Sequence, residues 1–246
     1  MSLRGLRLAT QFLTRLPVPA VADFAPEELS HAAPWFPFVG AVVGVLVAAV
    51  VIASVALAGA PGFLPATLGV VAWVWLTGAL HLDGLGDMAD ALAASHRDPQ
   101  RFLTVLADPH MGAFGVVSIV LALLLKTAAL TALPHASLFA LALVAAWARL
   151  GPLAWSRWLK ALKPGQGERF AWKPSTGWIV FWTVALGVAS VVVAPVLCVA
   201  PLMIFAWGAW LKGRLGGMTG DCLGAGVEVL EIALLTTLAL AGNARL

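Results

Sequence analysis

Long uncharged stretches of this chain alternate with short blocks that hold most of its charge. The first block runs to Glu28. An uncharged passage follows over 29–82, marked only by His31 and His81, and has room for two membrane crossings with a turn at "GAPGFLP". The second block spans Asp83 to Asp108. Apolar runs near 112–132 and 138–155 flank "LPHAS", and the third block is "RWLKALKPGQGERFAWKP", Arg157 to Pro174. Two shorter apolar runs, near 177–194 and 197–211, meet around Pro195 and Pro201. The fourth block runs from Lys212 to Glu231, and a last apolar helix leads to "AGNARL".

About 20 helical residues cross the ~30 Å of a bilayer's hydrocarbon. The pattern therefore predicts an all-α fold: a polytopic integral membrane bundle of about seven transmembrane helices. Every second connection is short and lacks Lys, Arg, Asp and Glu. Because Lys and Arg concentrate in cytoplasmic loops, the N-terminus, 83–110, 156–176 and 212–228 are expected on that side. Residues 1–246 read as a single transmembrane helical domain, with 1–34 as a cytoplasmic or interfacial segment. No internal repeat is visible, so the inverted-repeat signature of many transporters is not supported.

Composition agrees with the pattern. Hydrophobic residues make up 61% of the 246 and charged residues 11%, where soluble domains carry about 25% charged residues. The opening "MSLRGLRLATQFLTRLPVP" has no long apolar core and spreads Arg4, Arg7 and Arg15 along itself, unlike a cleaved signal. Two cysteines are too few for a disulfide framework. No basic stripe with interleaved aromatics appears, which excludes nucleic acid as a partner.

Against this background "HLDGLGDMADAL" stands out, placing Asp83, Asp87 and Asp90 within eight residues. As a helix continuing out of the second span, these positions fall within an arc of roughly 60°. Like charges on one face near hydrocarbon are costly, and a helix cap does not need three of them. Converging oxygen ligands suit a hard cation, Mg²⁺ or Mn²⁺. Gly84 and Gly86 let a ligand approach the backbone. A second set, Asp221, Glu228 and Glu231 in "GGMTGDCLGAGVEVLEIALL", falls within about 80°. Glu228 and Glu231 open an apolar helix, where Glu231 serves equally well as a first-turn complement to the helix dipole. Glycines around Asp221, Gly220 among them, describe a backbone that a ligand approaches closely. Two facing carboxylate helices suit a two-metal phosphoryl-transfer site.

Phosphate chemistry also needs fixed cations. Arg15, Arg97, Arg101, Lys212 and Arg214 are the candidates. Taken singly each arginine reads as positive-inside topology, except Arg15, whose proline-rich surroundings fix its direction. In "ADPHMGAFG" Asp108 reads as a cap before Pro109 or as a group facing the site. The loop 157–173, with Trp155, Trp158 and Trp172, reads most simply as an interfacial anchor, with substrate contact as the secondary reading. His31, His81, His96 and His135 have no zinc-site spacing and read as structural. There is no Walker loop and no G-x-S-x-G elbow.

In order and spacing, "QFLTRLPVP", "WFPFVGAVVG", "HLDGLGDMADAL", "DPHMGAFG" and "MTGDCLGAGVEVLEI" resemble the cobalamin-5′-phosphate synthases, or adenosylcobinamide-GDP ribazoletransferases, over Phe12 to about Ile232. The resemblance implies an inner-membrane, Mg²⁺-dependent enzyme of vitamin B12 assembly, working beside other cobalamin-assembly enzymes. Its substrates would be adenosylcobinamide-GDP and α-ribazole or the 5′-phosphate of α-ribazole, joined with release of GMP. On this reading Asp83, Asp87 and Asp221 hold Mg²⁺ at the cytoplasmic membrane boundary. Asp90 or Glu228 accepts the hydroxyl proton, and Arg15 and Lys212 clamp the leaving GMP. Asp108, Arg101, Gly84 and Gly220 then lie on the substrate side. The family commonly has lysine before the aspartate of "ADPH" and Ser-Arg after it. Here Ala107, Pro109 and His110 stand instead, and His110 or Arg101 is left to supply the cation.

Three rivals fit less well. The D-x2-D-G-x2-A-R arrangement of a CDP-alcohol phosphotransferase is absent, since the first spacing here is D-x3-D and no arginine follows. One aspartate and two glutamates among glycines suit a prenyltransferase poorly. A cation-coupled transporter would place its carboxylates near the bilayer midplane, whereas these sit at span ends.

Overall fold

The computed structural model describes residues 2–22, 26–96, 98–163 and 175–243. Arg97 and residues 164–174, including Trp172, therefore lie outside the described residues. Helices dominate: α1 (Leu3–Leu13), α2 (Pro26–Ala32), α3 (Phe36–Ala58), α4 (Phe63–Thr77), α5 (Leu80–Ser95), α6 (Pro99–Val105), α7 (Ala113–Ala132), α8 (Leu141–Trp158), α9 (Thr176–Val193), α10 (Ala200–Leu215) and α11 (Gly220–Asn243). Among the described residues the only extended pairing is a single parallel bridge between Ala161 and Met218.

Six segments are long and apolar enough to cross a membrane: Glu28–Ala58, Ala113–Ala132, His135–Trp158, Thr176–Val193, Pro195–Leu215 and Gly220–Gly242. α4 and α5 would make a seventh only as a pair bent by 88°. The expected bundle of about seven helices is thus found, with one correction. The acidic helix does not continue the second span. Gly78 and Ala79 both take positive φ, at 59°, and Gly78 closes α4 with its amide on the Trp75 carbonyl. Such a left-handed pair ends one helix and re-aims the next. α5 accordingly leaves the path of α4, and we read α4 as the arm of this pair that crosses and α5 as the arm that lies outside the crossing segments.

Close backbone approach builds the centre. With lipid on the outside, helices associate through packing of small residues rather than exclusion from water. Gly40 and Gly44, one turn apart on α3, rest against the backbone of Ala145 and Leu141 on α8, where a side chain would collide. α8 is buried nearly all round and seats Trp147 and Trp155, whose indole N–H groups donate to Ser190 Oγ (3.0 Å) and the Ile204 carbonyl (2.8 Å). α9 is mostly exposed along its apolar length, as a lipid-facing helix should be. Pro195 and Pro201 are absorbed at helix starts, in the 3₁₀ turn Pro195–Val199 and the first turn of α10, where no intrahelical N–H is needed.

The site end of the bundle is fixed by backbone contacts between chain segments far apart in sequence. The Arg15 amide donates to the Leu76 carbonyl at 2.7 Å, tying the N-terminal segment to the end of α4. Met218 N donates to Lys160 O and Leu162 N to Met218 O, each at 2.9 Å, tying the end of α8 to the approach of α11.

Candidate active site

α5 and α11 cross where neither carries a side chain. A Cβ on Gly84 would lie 3.0 Å from the Asp221 carbonyl oxygen and 3.4 Å from Gly224 Cα. Of the second acidic set, the crossing brings Asp221, in the first turn of α11, to Asp83 and Asp87. Thr219 caps that turn by accepting the Cys222 amide at 3.3 Å. Asp83 is exposed, while Asp87 and Asp221 are half-buried. Partial burial, then the charges of Asp83 and Asp221, push the Asp87 carboxyl up to about 6; Lys163 opposes this and Asp90 adds to it. Lys163 Nζ stands 3.5 Å from Asp221 Oδ2 and donates to the Leu106 carbonyl at 3.4 Å.

Among the described residues no three His, Cys, Asp or Glu side chains converge closely enough to hold a metal ion by themselves. The donor set nevertheless suits Mg²⁺, which takes one or two carboxylates and completes its shell with water and phosphate oxygens. Asp83, Asp87 and Asp221 supply hard oxygens whose mutual repulsion a divalent cation would relieve.

The two acids expected to accept a proton are otherwise engaged. Asp90 takes the Gly112 amide on Oδ2 (2.7 Å) and the Gly115 amide on Oδ1 (2.9 Å). It caps α7 from a neighbouring helix, satisfying amides that a helix start leaves free. Glu228 lies about 10 Å further along α11 than Asp221, at 1.5 Å per residue, and is 2% exposed. Its Oε1 sits 2.5 Å from Lys126 Nζ, in an ion contact that lacks hydrogen-bond geometry.

The remaining candidates scatter around the rim. Arg15 lines a cleft of about 280 Å³ with Gln11, Thr14, Thr77 and Gly78, its side chain lying over Gly78. Arg101 Nε donates to the Ala94 carbonyl at 2.8 Å, bracing α6 on α5. Lys212 Nζ is held 5.9 Å from the centre of the Trp158 ring. Asp108 accepts the His110 amide at 3.0 Å and faces that ring's Nδ1 at 2.7 Å. These bonds, the amide first, hold its exposed carboxyl below the ordinary value. Gly220 opens α11, beside Asp221.

Deeper in the bundle is a charged cluster that the pattern of apolar runs conceals. Lys126 Nζ on α7 is 2.5 Å from both Glu228 Oε1 and Glu231 Oε2. Arg149 on α8 pairs with Glu231 Oε1, which also accepts from Trp73 Nε1 at 3.1 Å. Arg149 Nη2 reaches His81 Nδ1 at 3.3 Å. Two cations and two acids balance, as buried charges must, and the cluster joins α4, α5, α7, α8 and α11. Glu231 is thus no dipole complement: α11 begins at Gly220, so both glutamates lie well inside it. His81, expected to be structural, is buried beside Arg149 as part of this cluster.

The sequence profile of the family described as cobalamin-5-phosphate synthase matches residues 5–239. The chain belongs to this family. It is 49% identical over 241 residues to the adenosylcobinamide-GDP ribazoletransferase of Thiobacillus denitrificans, covering 95% of this chain and 94% of that protein. Proteins of the same name from Laribacter hongkongensis and Novosphingobium aromaticivorans are 47% and 45% identical, over 95% and 98% of each chain. No solved structure matches. Membership makes the chain a transferase and sets aside the phospholipid-synthase, prenyltransferase and transporter readings.

Three residues of this family member escaped the sequence reading. Lys126 and Arg149 were hidden inside predicted spans, although a lone charge in an apolar run is itself the signal of a buried partner. Lys163 was hidden in a basic stretch that reads as a membrane anchor.

Proposed function

We propose that the chain transfers the adenosylcobinamide-phosphate group from adenosylcobinamide-GDP to α-ribazole or its 5′-phosphate, releasing GMP. The observation that carries this reading is the crossing of two acidic helices at Gly84, which faces Asp83 and Asp87 toward Asp221 beside Lys163. A new bond forms between the ribazole hydroxyl oxygen and the phosphorus bearing the cobinamide group. The bond from that phosphorus to GMP breaks, GMP leaves with the electron pair, and the hydroxyl proton passes to solvent at the open rim. Such a transfer needs in-line positioning and charge neutralisation more than covalent help. Asp83, Asp87 and Asp221 would hold Mg²⁺, which when bound would offset charge developing on the leaving phosphate. Arg15, in its cleft beside the α4–α5 corner, orients the departing nucleotide. Asp90 holds the start of α7 in place, and Glu228 belongs to the ionic cluster below; neither is assigned the proton.

The acidic end faces the cytoplasm of an inner membrane on this proposal. Arg15, Lys160 and Lys163 gather at that end, as the positive-inside rule requires. The test is GMP release by purified protein given adenosylcobinamide-GDP, α-ribazole and Mg²⁺. EDTA should abolish release and added Mg²⁺ restore it. Asp87→Asn should lose roughly 100-fold or more, the scale of removing one charge-stabilising group, while remaining folded. Full turnover by a folded Asp87→Asn protein in saturating Mg²⁺ would defeat the metal assignment. No GMP release from wild type would defeat the function.

A further inference from the structure

Lys163 is held on the acidic end by backbone rather than by its own charge. After α8 ends at Trp158, the chain passes alongside Gly217 and Met218, with the 2.9 Å bonds between Met218 and residues 160 and 162 as rungs. Gly217 permits the approach: a Cβ there would stand 2.5 Å from the Lys160 carbonyl oxygen and 2.8 Å from Leu162 Cδ2. Met218 lies three residues before Asp221, so the pairing delivers Lys163 to the carboxylates.

The ammonium it delivers is only loosely committed. Its contacts, 3.5 Å to Asp221 Oδ2 and 3.4 Å to Leu106 O, are long beside the ~2.7–2.9 Å of a charge-assisted hydrogen bond. The side chain is 32% exposed, so it is accessible from the rim. Nothing on the adjoining loop duplicates it, since residues 102–125 contain no Lys or Arg. His110 is engaged with Asp108, and Arg101 is turned to the Ala94 carbonyl.

We infer that Lys163 is the phosphate-binding cation of the site, contacting the diphosphate of the donor substrate once that anion lies over Asp83, Asp87 and Asp221. This rests on the proposed reaction. A lysine acts there as a mobile point charge with three donors, able to leave Asp221 for a phosphate oxygen. The bland alternative is a surface ion pair bracing α8 against α11, and exposed pairs of this length contribute little to stability.

The experiment compares wild type with Lys163→Gln and Lys163→Arg in detergent. Lys163→Gln should raise KM for adenosylcobinamide-GDP and weaken inhibition by inorganic pyrophosphate, each roughly tenfold, on the order of one charged contact. KM for α-ribazole and the melting temperature should not move, and Lys163→Arg should recover most of the loss. Unchanged donor KM and unchanged pyrophosphate inhibition in Lys163→Gln overturn the inference, as does a loss confined to kcat. Calorimetric binding of pyrophosphate with Mg²⁺ separates this from the reaction itself. If wild type released no GMP the proposed reaction would fail, yet equal pyrophosphate affinity in wild type and Lys163→Gln would independently sink the role of Lys163.

Discussion

Replacing Lys126 by Met tests whether the buried ionic cluster holds the bundle together. The side chain is 3% exposed and shares its charge between Glu228 and Glu231, with the Trp73 ring centre 4.7 Å away. Methionine fills similar volume, so the cost is electrostatic: two glutamates are left with Arg149 alone, and one negative charge is stranded among apolar helices. Removing one partner of a buried pair costs ~3–5 kcal/mol, because the surviving charge is uncompensated. At ~2–4 °C per kcal/mol for a chain of this size, melting should fall by roughly 6–20 °C. Tryptophan fluorescence during heating in detergent micelles reads this directly, since Trp73 touches the cluster. The double variant Lys126→Met/Glu228→Gln restores neutrality with Arg149 and Glu231, and should melt above Lys126→Met. A single variant melting within about 2 °C of wild type, or a double variant lower than the single, would show that the cluster does not carry its charges in this balanced way.

Two further outcomes follow from the crossing of α5 and α11. Gly84→Val should cost ~1–3 kcal/mol and depress GMP release, because its Cβ meets the Asp221 backbone, which cannot rotate away; Gly224→Ala, whose Cβ would find its nearest neighbour at 3.6 Å, should be tolerated, and equal melting of the two variants would refute the contact. Asp87, raised from 3.8 to about 6 in the metal-free fold, contributes stability fully below the lower value and loses it as pH rises through the upper one. In EDTA the melting temperature should therefore fall between about pH 4 and about pH 7, and Asp87→Asn should flatten that slope; an identical slope in both proteins would count against the coupling.

The topology was legible because Asp, Glu, Lys and Arg avoid hydrocarbon, so blocks such as Asp83–Asp108 mark connections whatever the packing. The acidic faces were legible too, since helical spacing places Asp83 with Asp87. The corner at Gly78 and Ala79 was not. Helical periodicity carries no signal for an alanine at φ 59°, although glycine after "WLT" is a helix-stop signal in its own right. Partnerships were the least readable. Lys126 and Glu231 are 105 residues apart, and nothing local to either names the other. Asp90 looked like chemistry because a like-charge cluster suggests ligands, whereas its amide partners lie 22 and 25 residues downstream. Lys163 was masked by company: a basic stretch with tryptophans has a membrane-surface explanation, and only the pairing with Met218 separates one lysine from the rest.

The cap that Asp90 places on α7 ties three positions into one mechanical unit. A side chain at Gly115 would strike the Asp90 carboxylate and come 2.9 Å from the Gly86 carbonyl oxygen; one at Gly112 would come 2.6 Å from Asp90 Oδ1. An aspartate that grips amides this closely leaves no room for a Cβ at either position. A side chain at either glycine would push the carboxylate off the amides it caps, so the three residues work as one joint between α5 and α7.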